Sequence, residues 1–131
     1  MKILDSDVCI EILRGNVKVI EKRRTVDDDV ATTWVTASEL AYGARKSRDP
    51  EHNTTLVTEF LATLSVVGLN LPAALEFGRR KASLERAGMR LPDADLLIGA
   101  ITLAHGASLI TGNRKHYERI EGLRIEDWIR G

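Results

Sequence analysis

Apolar residues in this chain fall into short continuous runs, and between them lie longer stretches with helical spacing. Lys2-Ile3-Leu4 is a brief apolar run closed by Asp5 and reads as a buried strand. From Val8 to Arg14 the pairs Val8/Ile12 and Cys9/Leu13 recur at helical spacing, and Gly15-Asn16 stops them. Val17 to Arg24 is a second helix with a basic end. Asp27-Asp28-Asp29 makes a charged turn, and Ala31 to Val35 reads as the second strand. Thr36-Ala37-Ser38-Glu39 matches a capping box and predicts a helix to about Lys46. Pro50 restarts the chain into a helix with Leu56, Phe60 and Leu64 inside. Ser65 to Leu69 is a third strand. Leu71-Pro72 opens a long helix to about Ala87, ended by Gly88. Leu91-Pro92-Asp93 opens another, ending at His105-Gly106. Ala107 to Ile110 is a fourth strand, closed by Thr111-Gly112-Asn113. A helical turn and a weak strand near Arg124-Ile125 follow.

Strands thus alternate with helices, which predicts an α/β fold: a parallel sheet covered by helices on both faces. In such sheets ligands bind beyond the carboxyl ends of the strands. That rule singles out Asp5, Ser6, Asp7, Thr36, Glu39, Thr111 and Asn113, and acids gather there.

A length of 131 residues suits one compact domain spanning 1–131. No apolar run is long enough to span a bilayer, and the opening residues do not form a signal peptide, so a cytoplasmic location is expected. The single Cys9 agrees, since one cysteine cannot staple a secreted fold. Nineteen lysines and arginines balance nineteen aspartates and glutamates. Neutrality is unusual for a nucleic-acid binder, but acids at a centre and bases at its rim can coexist in a neutral chain.

The acids carry the candidate chemistry. Asp7 sits immediately before the first helix and is the better cap, which leaves Asp5 free. Glu39 has two readings, a capping-box partner folded onto the Thr36 amide or a carboxylate facing the cleft; beside the other acids the second is preferred. Asp93 and Asp95 are two apart at a helix start, and so point about 200° from each other. Asp95 lies among Leu96, Leu97 and Ile98, where an acid is costly unless paired or metal-bound. It is therefore the stronger candidate, with Asp93 a possible further ligand from the helix start. Hard oxygen donors without cysteine or histidine at metal spacing suit Mg²⁺ or Mn²⁺ rather than zinc. Ser6 and Thr111 are hydroxyls placed to orient the acids.

Four segments together resemble the PIN-domain ribonucleases. Met1-Lys2-Ile3-Leu4-Asp5-Ser6-Asp7-Val8 resembles that family's opening strand. Thr36-Ala37-Ser38-Glu39-Leu40-Ala41-Tyr42-Gly43-Ala44 resembles its second motif, with Glu39 as the acid. Pro92-Asp93-Ala94-Asp95-Leu96-Leu97-Ile98-Gly99-Ala100 resembles the third, with Asp95 before the Leu-Leu-Ile run. Leu109-Ile110-Thr111-Gly112-Asn113-Arg114-Lys115-His116-Tyr117 resembles the fourth. The resemblance implies a PIN-like α/β/α sandwich with a five-stranded parallel sheet. It implies endonucleolytic cleavage of RNA with Mg²⁺ or Mn²⁺ held by Asp5, Glu39 and Asp95, and Glu39 as first candidate to take a proton. Within the family, the short chain looks most like VapC-type toxins, which cut transfer or ribosomal RNA. Such toxins usually form homodimers and are silenced by a VapB-like antitoxin. An apolar antitoxin segment would lie in a groove among the helices. There are departures: Asn113 stands where many relatives have their fourth acid, and His116 where many carry another. Both weaken the expectation of a tightly bound second metal.

The basic residues divide. Arg79-Arg80-Lys81 on the long helix are expected to be solvated and paired with Glu76 and Glu85, whereas Arg114 and Lys115 are expected to touch RNA phosphate. Asp5-Ser6-Asp7-Val8 also resembles the nucleophile motif of haloacid-dehalogenase-like phosphatases, but that reading gives Glu39 no role. A receiver-like binding module would need an aspartate after its middle strand, and Ser65 to Asn70 has none. A PIN fold without catalysis is opposed by the intact trio Asp5, Glu39 and Asp95.

Overall fold

The computed structural model describes residues 1–131. Its elements run β1 (Lys2–Leu4), α1 (Ser6–Leu13), α2 (Val17–Thr25), β2 (Val30–Thr33), α3 (Trp34–Arg45), α4 (Pro50–Leu61), β3 (Ser65–Val67), α5 (Leu71–Arg86), α6 (Asp93–Ala104), β4 (Ser108–Ile110), α7 (Arg114–Tyr117) and β5 (Arg124–Glu126). The five strands form one parallel sheet in the order β3-β2-β1-β4-β5. The alternation of strand and helix predicts this fold class, and the expected order of elements is the one found.

Successive strand residues point to opposite faces. Ile3 and Leu109 therefore enter one apolar layer, with Leu84, Leu96, Ile98, Tyr117 and Ile120. Their neighbours Leu4 and Ile110 enter the other, with Val8, Cys9, Val19, Leu40, Val57 and Phe60. The first layer is covered by α5, α6 and α7, the second by α1 to α4, which makes the α/β/α sandwich. Both layers are dry: Ile3, Leu4, Leu109 and Ile110 are fully buried. Gly88 closes α5 at φ +72, a backbone conformation that a side chain would strain.

The strand order matters for the site. β1 lies at the centre, with β2 and β3 on one side and β4 and β5 on the other. Chain direction across the sheet reverses between β1 and β4, and the crevice beyond their carboxyl ends is where ligands bind in open α/β sheets. α1 and α3 follow β1 and β2 directly, and α6 runs back to the start of β4. The first turns of α1, α3 and α6 therefore reach the same edge as the ends of β1, β2 and β4.

Several boundaries differ from the sequence reading, among them the end of α4 at Leu61, which leaves Leu64 outside the helix. Asp5, not Asp7, caps α1: its Oδ1 accepts from the Ser6 amide at 2.8 Å, and the helix starts at Ser6 rather than Val8. The second strand stops at Thr33 rather than Val35, because Thr33 caps α3 by accepting from the Thr36 amide at 3.1 Å. With that amide satisfied by Thr33, the Thr36–Glu39 capping box does not form, and the Glu39 side chain is released to other partners. β3 ends at Val67, two residues before the expected Leu69.

The capping assignment is testable in urea denaturation. Thr33→Ala is expected to cost about 1 kcal/mol, while Glu39→Ala leaves stability unchanged or raises it. A loss of similar size from Glu39→Ala would restore the capping box.

Candidate active site

Asp5 leaves β1 at the sheet's centre with only 6% of its surface exposed. Its carboxylate is held at both oxygens: Oδ1 by the Ser6 amide, and Oδ2 by the Thr111 hydroxyl at 2.8 Å. Thr111 follows β4, so this bond ties the two strands that flank the crevice. The Thr111 oxygen also accepts from the Asn113 amide at 2.9 Å, which fixes the turn beyond β4.

Burial pushes the Asp5 carboxyl up to about 6, against the pull of Thr111 and Ser6 and with help from the negative charges of Asp7 and Asp95. Asp7 is also pushed up, chiefly by burial. Its Oδ2 accepts from the Gly112 amide at 2.8 Å, while Oδ1 is buried without a partner. Asp7 thus holds the Thr111–Asn113 turn from one side. Arg130 holds it from the other, donating to the Gly112 carbonyl at 2.8 Å and to Asp127 at 3.2 Å. Gly112 fits between them because it has no side chain: a Cβ there would lie 2.9 Å from both Asp7 Oδ2 and Arg130 Nη1.

Glu39, on the second turn of α3, is exposed and accepts from the Ser6 hydroxyl at 2.6 Å. Asp95, in the first turn of α6, is 19% exposed and its Oδ2 lies 2.9 Å from His116 Nδ1. Asp93 is set apart. Its carboxylate, 62% exposed, pairs with Lys81 of α5 at 3.0 Å, so the expectation of Asp93 as a further ligand is not met. The reason is the helical angle: with Asp95 turned inward, a residue two positions earlier faces α5.

Tyr117 is fully buried beneath the cluster. Its hydroxyl lies toward Asp5 but makes no well-formed hydrogen bond. Burial, and then the charges of Asp5, Asp95 and Glu39, raise its pKa and hold it protonated. Sequence reading missed this residue, since an aromatic in a helical turn carries no mark of what lies above it. It also missed Arg130 and Asp127, whose contact with Gly112 is made only in the folded chain.

The donors are hard oxygens, and the charge around Asp5 calls for a cation, so their chemistry fits Mg²⁺ or Mn²⁺. As the side chains lie, no three acidic, imidazole or thiol groups converge on one ion position. Each acid is instead held by its own neighbour: Asp5 by Thr111, Glu39 by Ser6, Asp95 by His116.

Beside Ser6 and Glu39 an open groove of about 490 Å³ runs between α1, α3 and α4, with Ile10, Leu13, Leu40, Leu56 and Val57 along it. Arg114 and Lys115, in α7, are exposed near the turn that ends β4. On α5, Arg79 and Arg80 pair with Glu76, as expected for a solvated face; the expected Glu85 partner is not used. No helix is long and apolar enough to cross a membrane.

Residues 2–123 match the PIN domain. The chain belongs to the PIN-domain family. Among curated PIN relatives it is similar to the tRNA(fMet)-specific endonuclease VapC of Salmonella typhimurium, 33% identical over 95% of this chain and 96% of the relative. It is also similar to Ribonuclease VapC2 of Haemophilus influenzae, 29% identical over 96% of each. Among solved structures it is similar to the DNA-bound VapBC of Salmonella typhimurium, with a TM-score of 0.91 and 32% identity over 97% of each chain. VapBC2 of Rickettsia felis bound to a promoter DNA fragment also gives 0.91, with 25% identity over 97% of this chain and 98% of that one. The central sheet and its flanking helices are therefore those of a PIN fold.

Burial of the Asp5 charge should be visible in stability. The folded state holds the Asp5 proton up to about 6, against an ordinary 3.8, so ionisation destabilises the fold. Stability falls as pH rises from the lower value through the higher, by about 3 kcal/mol at most for this group. Asp5→Asn removes that loss. Urea denaturation in chelator should show the variant gaining on the native chain between about pH 4 and about pH 8. A difference independent of pH would mean that Asp5 ionises as an ordinary surface acid.

Proposed function

We propose that this chain is a divalent-metal-dependent endoribonuclease and the toxin of a toxin–antitoxin pair, working as one PIN-like unit over residues 1–131. Membership of the PIN family and the VapC ribonuclease relatives support the ribonuclease reading. The observation that carries the catalytic part is that Ser6 bridges Asp5 and Glu39, its amide on the one and its hydroxyl on the other, while Asp95 lies close enough for its charge to act on Asp5. Substrate is proposed as transfer or ribosomal RNA in the cytoplasm. The tRNA(fMet) named in a relative is the first to try.

Asp5, Glu39 and Asp95 would hold Mg²⁺, or Mn²⁺ in its place, and the ion would supply Lewis acidity and charge neutralisation at the scissile phosphate. The chain's own part is positioning and proton transfer. Thr111 and Ser6 aim the Asp5 and Glu39 carboxylates. Ser6 occupies Glu39 Oε1, which leaves the other oxygen free to take the proton of the attacking water. Water attacks phosphorus in line, the bond to the 3′ oxygen breaks, and the products are a 5′-phosphate and a 3′-hydroxyl. Arg114 and Lys115 hold flanking phosphates.

The antitoxin would lay an apolar segment along the groove between α1, α3 and α4, which leads directly to Glu39. Solved relatives are VapBC complexes. In the homodimer we propose, a second copy would cover exposed apolar side chains such as Trp34, Leu69, Leu71 and Leu75. A haloacid-dehalogenase-like phosphatase is not favoured, since the chain belongs to the PIN-domain family and that reading gives Glu39 no role. Nor is a receiver-like module, given the family.

Purified protein incubated with total cellular RNA and Mg²⁺ or Mn²⁺ should yield discrete fragments that chelator abolishes. Glu39→Gln should slow cleavage by about 10²-fold or more, and Asp5→Asn and Asp95→Asn should stop it. Fragments that persist in chelator, or in all three variants, would sink the assignment.

Reversing the charge of Arg114 and Lys115 together should flatten the salt dependence of RNA binding by about two charge equivalents. An unchanged slope would place the phosphate contacts elsewhere.

A further inference from the structure

Beyond the edge strand β5 the chain folds back over the sheet. Trp128 is buried in the apolar layer under α1 to α4, and Ile129 packs against that layer, so the residues after β5 are fixed on this face. Asp127 shapes the turn: its Oδ1 accepts from the Ile129 amide at 2.8 Å and from the Arg130 amide at 3.0 Å. The Arg130 side chain then runs back toward the end of β4. Its Nη1 donates to the Gly112 carbonyl at 2.8 Å and to Asp127 Oδ2 at 3.2 Å. Both bonds use the same nitrogen. Nε and Nη2 are left for a ligand, on a side chain that is 71% exposed. Lys18 of α2 stands beside it, donating to the Ile129 carbonyl at 3.3 Å.

Stability does not account for this arrangement. An exposed arginine–carboxylate pair contributes little, and water would serve the Gly112 carbonyl as well. What the contacts achieve is to hold a guanidinium in one place with half of its donors open. A planar guanidinium offers two parallel N–H groups to phosphate oxygens, and a side chain already held in place loses less freedom on binding. Asp127 does not cancel that charge for a ligand. Its carboxylate is 13% exposed and is shared between two amides and Nη1.

The position is the telling part. Arg114 and Lys115 belong to α7, whose Tyr117 lies in the layer under α5 to α7. Arg130 and Lys18 belong to the opposite layer. The Thr111–Asn113 turn runs between the two cation groups, and its Thr111 hydroxyl rests on Asp5. A polyanion touching both groups must pass over the acids. We propose that Arg130, backed by Lys18, is a second phosphate contact on the opposite face of the crevice from Arg114 and Lys115, so that single-stranded RNA crosses the carboxyl edge from one helix layer to the other. The inference rests on the ribonuclease reading above and adds the path of the substrate.

The test is binding without cleavage. A labelled oligouridylate is titrated with the full chain in chelator, and fluorescence anisotropy gives the affinity from about 50 to about 200 mM KCl. Arg130→Gln keeps a donor for the Gly112 carbonyl and removes the charge; Arg130→Lys keeps the charge. Arg130→Gln should weaken binding about five- to tenfold at about 0.1 M salt and make the log–log salt slope shallower by about one charge equivalent. Arg130→Lys should keep the native slope. Combined with charge removal at Arg114 and Lys115, the loss of slope in Arg130→Gln should add to theirs. A native slope in Arg130→Gln would reduce Arg130 to a clamp on the turn and overturn the proposal. A shallower slope shared by Arg130→Lys would trace the change to a disturbed turn and overturn it too. A combined variant no shallower than either parent would refute the crossing path. In each of these cases native cleavage of RNA leaves the ribonuclease reading standing; a native chain that neither binds RNA here nor cleaves it with Mg²⁺ or Mn²⁺ would overturn both.

Discussion

The Thr111 hydroxyl donating to the Asp5 carboxylate is the contact on which the site turns. Asp5 is almost fully buried, and a carboxylate taken out of water must recover its lost hydration from fixed donors or give up its charge. Two donors recover part of it, the Ser6 amide within α1 and Thr111 from across the crevice. The first is local and comes with the helix. The second exists only when β4 pairs with β1 in register, so a hydrogen bond at the site reports on the correctness of the sheet. The remaining deficit leaves Asp5 primed for a positive charge, which is the condition a cation-binding acid needs before its ion arrives.

Helix polarity supports the same arrangement. In a parallel sheet with helices on both faces, helix amino termini collect at the carboxyl edge of the strands, and each carries a partial positive charge. Asp5 caps α1, Asp95 occupies the first turn of α6, and Glu39 is one turn into α3. Negative side chains can crowd there at a lower cost than elsewhere in the molecule. The whole chain is neutral, yet its charge is sorted: acids face the crevice, and Arg114 and Lys115 stand at its rim. This is how a neutral protein can still engage a polyanion.

Most of the fold was legible because the apolar periods are sharp, and the four strands of β1 to β4 and the long helix α5 follow from them with few errors. Boundaries failed where several residues could do the same job. In Asp5-Ser6-Asp7 either aspartate can cap a helix; in Thr32-Thr33-Trp34-Val35-Thr36 more than one threonine can. Which of them does so depends on where the strand stops pairing, and that is decided by the neighbouring strand. Asp93 and Asp95 meet different neighbours, Lys81 and His116, because two positions on a helix face nearly opposite ways, a purely local fact. Tyr117 beneath the acids and the hold of Arg130 on Gly112 had no local signature. Both arise from tertiary placement, the second across 18 residues.

Strand order also has a consequence for biosynthesis. The central strand pairs Lys2 with Val30 on one side and with Ser108 on the other, so one edge of β1 waits for residues made about a hundred positions later. Contacts of such sequence separation form late and slowly. On the ribosome, a chain that has emerged only as far as α5 already carries Asp5 and Glu39, but neither Asp95 nor Thr111. An interrupted nascent chain therefore has no assembled crevice, and whatever chemistry the crevice supports waits until β4 has been made and has paired with β1.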